Sequence, residues 1–323
     1  MKKTLATTKL GLITISISLV SGLTVAVTPS ELKLDYAYYA PTSLVVKEQK
    51  LLEKALPNTK IKWVFSQGSN RSLEYLNSGS TDFASTAGLA AVLSRANGSP
   101  IKTVYVQSQP EWTALVVNKD SNIKSLKDLK GKKIAATKGT DPFLFTLQAL
   151  DTVGLGKRDV ELVHLQHPDG KTALERKQVD AWAGLDPLMA SAQVQSGAKL
   201  LYRNVGFNSY SVLSIKENFA KQSPEAVDAV IKVYEQARKW AKANPDKLAE
   251  LLAREAKLPI EVAKLQLSRT NLDQNIPTAK HIAALQKAGS ILTEEDLVRK
   301  GTNVNQVVTQ LFDSKYAQKV VKK

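Results

Sequence analysis

Short stretches of apolar and polar residues with the pattern of strands alternate with stretches of helical periodicity over the first two thirds of the chain. Residues 32–38, LKLDYAY, have a strand pattern, and LVVKEQKLLEKAL after them has that of an amphipathic helix that ends at Pro57. The same order recurs, with strands predicted at KIKWVFS, TDFAST, IKTVYVQS, KKIAAT, VELVHLQ, VDAWAGL and KLLYRN. Strands that alternate with helices of this length predict an α/β fold with mostly parallel sheets.

From about residue 223 the pattern changes to one helix after another. Ser223 is a good N-cap, Pro224 suits the first helical position, and Asn244-Pro245 is expected to end this helix. No low-complexity linker divides the chain, so any two α/β units must be joined by ordered chain.

Two apolar strands, residues 113–119 and 210–216, flank the middle of the chain and divide it into two predicted lobes. If both strands cross between lobes, the first lobe consists of residues 32–116 plus 212–323, and the second of residues 119–208. Two crossover strands form a hinge, and a hinge between α/β lobes creates a cleft that closes on a ligand.

The first 29 residues have the plan of a secretory signal peptide. Lys2, Lys3 and Lys9 precede a long uncharged, apolar stretch, and the first acidic residue is Glu31. The apolar stretch is close to the length that spans a membrane, so an uncleaved anchor is the alternative. We expect a cleaved signal and a mature protein that lies outside the cytoplasmic membrane, in the periplasm.

Composition excludes several classes of function. The chain has no cysteine and three histidines, so disulfides and thiolate metal sites are excluded and little remains for a histidine metal site. The net charge is +15, but the lysines are spread along the chain without any nucleic-acid-binding motif. No nucleophile elbow is present, and His164 and His167 are spaced as on one face of a strand, before a predicted turn at Pro168-Asp169-Gly170. We therefore expect no enzyme, no cofactor, no metal and no nucleic acid.

Five stretches, spread over most of the chain, resemble a known family: LLEKALPNTKIKWV, LEYLNSGSTDF, IKSLKDLKGKKIAATKG, VDAWAGLDP, and FAKQSPEAVDAV with WAKANP. They resemble the substrate-binding proteins of ABC importers for aliphatic sulfonates and taurine, in a larger class that includes nitrate and thiamine-precursor binders. The resemblance implies a two-lobed periplasmic-binding-protein fold of the Venus-flytrap type, without catalysis. It also implies a monomer that serves transport in sulfur metabolism and delivers its ligand to an importer permease with its ATPase.

In such a fold ligands lie beyond the carboxyl ends of the strands, where the strand-to-helix loops converge. Tyrosine hydroxyls can bond a polar head group, the N–H groups at a helix start suit an anion, and an arginine can add a bidentate contact. The alternatives are aromatic core residues, a solvent-facing arginine and an ordinary helix cap. The candidate contacts from the first lobe are Tyr36, Tyr38, Tyr39, Ser69, Asn70, Arg71, Thr86, Ala87 and Gly88.

One of these loops departs from the family pattern, Ser-Thr-Gly-Asp, because here it reads Ser85-Thr86-Ala87-Gly88. The change removes a carboxylate. It is expected to leave N–H groups and the hydroxyl of Thr86 facing the cleft.

The candidate contacts from the second lobe and the second crossover are Gly139, Thr140, Asp141, Asp186, Ser209 and Tyr210, and Ser211 can add a hydroxyl. The family's Lys-Gly-Ser-Ser becomes Lys138-Gly139-Thr140-Asp141, so that a carboxylate stands where an anion would bind. Asp141 either contacts the ligand or caps the following helix, whose first position Pro142 suits. A ligand with an anionic and a cationic group would satisfy Arg71 and Asp141 together.

The family's Trp-Asp-Pro becomes Leu185-Asp186-Pro187, which keeps the aspartate and removes an aromatic wall. Trp112 is a candidate replacement for that wall or an ordinary core residue. We expect the ligand to be an alkanesulfonate or aminosulfonate, with a thiamine-precursor-like heteroaromatic molecule or nitrate as the alternatives. The ligand would stabilise the closed form because it bridges both lobes.

Overall fold

The computed structural model describes residues 29–321. The predicted signal peptide lies outside the described residues except for Pro29. Within residues 29–321, no helix has the length and apolar character needed to cross a membrane.

Two mixed β-sheets organise the chain. The strands in chain order are β1 Glu31–Tyr36, β2 Lys60–Phe65, β3 Phe83–Ala87, β4 Ile101–Pro110, β5 Leu115–Val117, β6 Lys133–Ala135, β7 Glu161–Val163, β8 Ala181–Ala183, β9 Lys199–Tyr202, β10 Ser211–Lys216 and β11 Thr270–Asn271. One sheet has the order β11-β4-β10-β3-β1-β2 and the other has the order β7-β6-β8-β5-β9. We call the part built on the first sheet lobe I and the part built on the second sheet lobe II.

The α-helices in chain order are α1 Pro41–Glu48, α2 Leu51–Ala55, α3 Ser69–Ser78, α4 Gly88–Ala96, α5 Asp141–Asp151, α6 His167–Glu175, α7 Leu188–Ser196, α8 Glu217–Gln222, α9 Pro224–Ala243, α10 Pro245–Ala256, α11 Ile260–Ser268, α12 Ala279–Glu294, α13 Val304–Leu311 and α14 Lys315–Val321. Two short 3-10 helices, Leu126–Leu129 and Val205–Phe207, join them. The predicted N-cap Ser223, with Pro224 at the start of α9 and Asn244 at its end, is confirmed.

The expectation of mostly parallel sheets is wrong in detail, because both sheets are mixed. β1 pairs in parallel with β2 and β3, and β6 pairs in parallel with β7 and β8. In contrast, β10 is antiparallel to β3 and β4, and β5 is antiparallel to β8 and β9. These two antiparallel strands are the first ones that the chain forms after it passes from one sheet to the other.

The chain passes between the sheets through residues 111–114 and 203–210. Residues 115–117 belong to the second sheet and residues 211–216 to the first, so the two strands predicted to cross lie beside the crossing segments. The exact lobe boundaries, 32–116 plus 212–323 and 119–208, stay a prediction.

The loops that follow the carboxyl ends of the parallel strands in one lobe face those of the other lobe. A Cβ built on Gly68, which follows β2, would lie 2.7 Å from His167 Nε2, beyond β7. A Cβ on Gly139, which follows β6, would lie 3.7 Å from Asn70 Cβ. A cleft therefore lies between the two sheets, at the carboxyl ends of the parallel strands, where the loops begin.

Candidate functional site

A cavity of about 190 Å³ lies between the lobes on the cleft side. Its walls are mainly apolar, and both lobes contribute to them. The residues that line it are Tyr38, Tyr39, Phe65, Ser66, Gln67, Pro168, Leu185, Asp186, Pro187, Leu188, Ala256 and Leu258. A space of this kind suits the carbon skeleton of a small organic molecule.

Two of the four candidate tyrosines, Tyr38 and Tyr39, line this cavity, and their hydroxyls bond to the protein backbone. The hydroxyl of Tyr38 donates to Glu255 O at 2.8 Å, and that of Tyr39 donates to Ser85 O at 2.8 Å. Tyr36 packs against Phe65, with ring centroids 5.4 Å apart, and is not part of the cavity wall. The sequence predicted hydroxyl contacts to a polar head group and ring contacts to a carbon chain. The hydroxyl donors of Tyr38 and Tyr39 are used within the protein, and the rings remain as apolar contact area.

Beside the cavity, four buried polar atoms have no hydrogen-bond partner among residues 29–321: Ser66 Oγ, Asn70 Oδ1, Gln166 Oε1 and His167 Nε2. Buried polar groups are normally hydrogen-bonded, so such atoms need an explanation. Two of the residues come from lobe I and two from lobe II. We call the surface formed by Ser66, Gly68, Asn70, Gly139, Gln166 and His167 the cleft seam.

Helix N-termini converge on the cleft seam. Helix α3 begins at Ser69 with Gly68 as its N-cap, and α6 begins at His167 with Gln166 as its N-cap. Gly139, with φ +78°, comes just before Thr140, the N-cap of α5. First-turn N–H groups lack partners within their own helix and carry the positive end of the helix dipole. The cleft seam contains no lysine or arginine side chain among its residues, but these N–H groups and helix dipoles favour the binding of an anion there.

On the opposite side, Asp141 lies at the first residue of α5 and is 1% exposed. Its carboxylate accepts hydrogen bonds from Ser209 N at 2.8 Å, from Ser209 Oγ at 2.8 Å and from Trp112 Nε1 at 3.1 Å. Trp112 and Ser209 lie on the two crossing segments. We call Trp112, Asp141 and Ser209 the hinge seam.

The structure corrects both predicted roles of Asp141. The N-cap of α5 is Thr140, and the donors to Asp141 come from the crossing segments, so its carboxylate neither caps the helix nor faces the cleft. Burial raises the pKa of Asp141 to about 6, although the donors from Ser209 and Trp112 oppose the rise. Trp112 accordingly anchors Asp141 and also packs its ring edge-on against Tyr39, with centroids 5.9 Å apart.

Asp186 lines the cavity, as predicted for a cleft residue, but its carboxylate already has partners. It accepts from Ala190 N at 2.9 Å and forms an ion pair with Arg269 at 3.4 Å between Nη1 and Oδ2. Burial raises the pKa of Asp186 to about 7, and the charge of Arg269 limits the rise. Since Arg269 follows α11, this buried ion pair joins the two lobes.

Arg71 pairs with a residue of its own helix. Its side chain is 44% exposed and pairs with Glu74 one helical turn further on, with Nη1 and Oε2 2.6 Å apart. The predicted bidentate contact is wrong because Arg71 lies on the solvent face of α3.

The N–H groups after β3 are also occupied within the protein. Ala87 N donates to Ser69 Oγ at 2.8 Å and Gly88 N donates to Tyr210 O at 2.8 Å. The hydroxyl of Thr86 lies 3.4 Å from Ser214 Oγ inside the sheet. The prediction that this loop offers donors to the cleft is therefore wrong. Gly88 instead allows close packing, because a Cβ there would lie 3.1 Å from a methyl carbon of Leu285 on α12.

Three further candidates bond or pack away from the cleft seam. Thr140 Oγ1 donates to Thr137 O at 2.6 Å, and the hydroxyl of Ser209 is committed to Asp141. The ring of Tyr210 packs edge-on against His281 on α12, at 4.3 Å between centroids. The sequence missed Ser66, Gln166, His167 and Arg269. A proline and an aspartate directly after His167 are signals of a helix start, and they could have placed His167 at a cleft loop.

A larger cavity, of about 430 Å³, lies between α5, the 3-10 helix Val205–Phe207 and α12. None of its described lining residues carries a buried polar atom without a partner. Within residues 29–321 no group of histidine and acidic side chains has the arrangement of a metal site. The cleft seam and its cavity are therefore the best candidate site for a ligand.

Comparison with known proteins agrees with this geometry. The family model described as NMT1/THI5 like matches residues 58–248. A protein of Escherichia coli (strain K12) named as an aliphatic sulfonates-binding protein is 28% identical over 285 residues, which cover 87% of this chain and 89% of the relative.

Two solved structures are similar over most of the chain. The alkanesulfonate-binding protein from Xanthomonas axonopodis pv. citri, bound to MOPS, has a TM-score of 0.82 at 26% identity and covers 89% of this chain and 99% of its own. The periplasmic aliphatic sulphonate binding protein from Escherichia coli has a TM-score of 0.75 at 28% identity, with coverage of 86% and 92%. These similarities confirm the predicted two-lobed α/β fold and the prediction of a binding protein that is not an enzyme.

Proposed function

Because the chain belongs to the NMT1/THI5-like family, we propose that it is an extracytoplasmic solute-binding protein for a small organic anion, an alkanesulfonate or aminosulfonate. It holds this ligand in the cleft between the lobes and delivers it to an ABC importer permease with its ATPase. The names of the sulfonate-binding relatives support this ligand class, as does the chemistry of the cleft seam.

The observation that carries the proposal is the set of four buried, unpartnered polar atoms that both lobes bring to the cleft seam. An anion joins the lobes when the amides of Asn70 and Gln166 turn to offer it their NH₂ groups, whereas Nε2 of His167 needs a donor group on the ligand. Leaving such groups unpaired costs about 1–3 kcal/mol each, so a bridging ligand stabilises the closed form strongly.

The anionic group is expected at the start of α3. The three oxygens of a sulfonate accept hydrogen bonds, and the first-turn N–H groups of α3 with the hydroxyl of Ser66 can donate them. No cationic side chain is needed, which agrees with the solvent-facing position of Arg71.

The carbon chain of the ligand is expected in the adjoining cavity of about 190 Å³. Each methylene group buried against its apolar walls should make the binding free energy more favourable by about 0.8 kcal/mol. A longer alkanesulfonate should therefore bind more tightly than a short one until the cavity is full. Sulfate and nitrate have no carbon chain and leave these walls without contacts.

A thermal-shift screen of the purified protein tests the proposal, with ethanesulfonate, a longer alkanesulfonate, taurine, sulfate, nitrate and an aminopyrimidine. We expect sulfonates to raise the Tm, the longer chain more than the shorter one, and sulfate and nitrate to have little effect. The matched control is Gly68→Ala, which obstructs the cleft seam and should abolish the shift. Failure of every sulfonate to raise the Tm would overturn the proposal.

A thiamine-precursor-like heteroaromatic ligand is the second candidate. It is favoured by the aromatic wall of the cavity, where Tyr38 and Phe65 pack with ring centroids 4.7 Å apart. A flat ring can stack on such a wall. A Tm shift with the aminopyrimidine and none with sulfonates would select this candidate.

A further inference from the structure

His167 carries a specific hydrogen-bonding role that the sequence did not reveal. It opens α6, its side chain is 0% exposed, and Nδ1 lies 3.1 Å from Thr137 Oγ1. The hydroxyl of Thr137 donates its only hydrogen to Leu165 O at 2.7 Å. Thr137 Oγ1 must therefore accept from His167, which places the imidazole proton on Nδ1 and leaves a lone pair on Nε2.

The imidazole is held in its neutral form. Burial alone lowers the pKa of His167 to about 3, so a second proton is not bound near neutral pH. In this state Nε2 is a hydrogen-bond acceptor and cannot donate to an anion.

Nε2 points at the cleft seam. A Cβ on Gly68 would lie 2.7 Å from Nε2 and 3.1 Å from Asn70 Oδ1, so both atoms lie against the start of α3. Neither has a hydrogen-bond partner among residues 29–321. The amide of Asn70 can rotate to offer its NH₂ group to an anion, but the lone pair of Nε2 stays an acceptor.

We propose that His167 determines ligand specificity by accepting a hydrogen bond at Nε2 from an O–H or N–H group that the ligand carries in addition to its anionic group. The proposal rests on the proposed function, because it places the ligand's anionic group at the neighbouring start of α3. An unsubstituted alkanesulfonate has only acceptor oxygens and leaves Nε2 unpaired. A hydroxy- or aminosulfonate satisfies both sides of the cleft seam, and sites with a buried polar group discriminate strongly against ligands that leave it unpaired.

The test compares two ligands that differ by one hydroxyl, 2-hydroxyethanesulfonate and ethanesulfonate, by calorimetric titration of the full chain. The wild-type protein is expected to bind the hydroxy ligand about tenfold more tightly or better. In His167→Leu the ratio should fall to near one. In His167→Gln, where an amide oxygen can still accept, part of the preference should remain.

Three results would overturn the proposal. Two are a wild-type ratio near one and a ratio that His167→Leu does not change. The third is the uptake of one proton with ethanesulfonate, measured in buffers of different ionisation enthalpy, because His167 would then donate to the anion.

A measurement without ligand separates this proposal from the proposed function. Nitrogen-15 spectra of the histidine rings, assigned with His167→Gln, are expected to report a proton on Nδ1 and none on Nε2 at pH 8, where an imidazole is neutral in the open and in the closed cleft. A proton on Nε2 at this pH would overturn the role of His167 even if no sulfonate binds. If the spectra agree but no sulfonate binds, the proposed function fails while the acceptor at Nε2 stands.

Discussion

The lobes meet at several places, among them the hinge seam, the cleft seam and the ion pair of Asp186 with Arg269, and the buried polar groups of the two seams differ in their bonding. At the hinge seam the carboxylate of Asp141 accepts hydrogen bonds from Trp112 and Ser209. At the cleft seam Asn70 Oδ1 and His167 Nε2 have no such partner among residues 29–321. Thr113 Oγ1 is an unpartnered atom on a crossing segment, but it is not part of the network around Asp141.

The difference indicates which seam is permanent and which is completed by a ligand. The hydrogen bonds that Asp141 accepts at the hinge seam do not depend on a ligand, so they hold the crossing segments together without one. Unpaired groups on two facing surfaces favour separation of those surfaces in water, and they favour contact only when a third molecule bonds to both. The account therefore predicts stability effects at the hinge seam and affinity effects at the cleft seam.

The largest expected effect is at the hinge seam. Asp141→Ala removes the acceptor and leaves the N–H groups of Trp112 and Ser209 buried without a partner, so we expect a loss of about 3 kcal/mol in the free energy of unfolding. Urea denaturation at pH 7.5 measures it. Asp151→Ala, at the exposed end of the same helix, is the control and should change stability by less than about 0.5 kcal/mol. Equal losses in the two variants would contradict the role of the hinge seam.

At the cleft seam, Gly68→Ala should weaken ligand binding by about 100-fold, equivalent to about 2.7 kcal/mol. The added Cβ would lie 2.7 Å from His167 Nε2 and hold the lobes apart. Small-angle scattering with ligand should give a larger radius of gyration than for the wild type. The double variant Gly68→Ala with His167→Ala removes the clash and should regain the compact form. If the single variant closes normally, the cleft seam is not where the lobes meet in solution.

The pH dependence of stability tests the environment of Asp141. Its pKa is raised to about 6 in the folded protein, so the carboxyl contributes stability below about pH 4 that is lost as the pH rises through 6. Asp141→Asn lacks this titration. The stability advantage of the wild type over the variant should therefore shrink by roughly 2 kcal/mol between pH 4 and pH 7. Denaturation curves across this range would refute the prediction if the advantage grew instead.

Ser66→Ala should weaken sulfonate binding about tenfold and change stability little, because the Ser66 hydroxyl forms no hydrogen bond of ordinary length and only opposes the rise in the pKa of Asp35 that burial causes. Thr113→Val is the matched control, since it also removes an unpartnered buried hydroxyl, but on a crossing segment. Calorimetric titration should find normal affinity in the control. Equal losses of affinity in both variants would remove the distinction between the seams.

The smallest expected effect is that of Arg71→Ala. Because Arg71 pairs with Glu74 on the solvent face of α3, its removal should change ligand affinity by less than about twofold. Lys62→Ala, at another exposed ion pair of lobe I, should behave in the same way. A loss above tenfold for Arg71→Ala alone would restore the arginine contact that the sequence predicted.

Much of the fold could be predicted from local patterns. The order of strands and helices, the start of α9 at Pro224 and its end before Asn244 depend on neighbouring residues, and local rules describe them well. The mixed pairing of the sheets could not be predicted, because the direction of β5 and β10 depends on the path of the chain between the lobes.

The candidate site was harder to predict, because its polar groups bond to residues far away in the sequence. Asp141 has the local signals of a helix start, but its partner Ser209 lies 68 residues further along the chain. Arg71 faces solvent because of the side of α3 on which it lies. The sequence around Arg71 does not indicate whether that side faces the cleft or solvent. The spacing of His164 and His167 was interpreted as one face of a strand, whereas β7 ends at Val163 and His167 is the first residue of α6.

A crystal structure of the protein grown with 2-hydroxyethanesulfonate shows directly whether the ligand binds at the cleft seam. We expect sulfonate oxygens within hydrogen-bond distance of Ser66 Oγ and the first-turn N–H groups of α3, with the carbon chain toward Tyr38 and Tyr39. We also expect Asp141 to keep its bonds to Ser209 and Trp112. Sulfonate bound instead in the larger cavity between α5 and α12, with the polar atoms of the cleft seam still unpaired, would contradict the assignment of the cleft seam as the binding site.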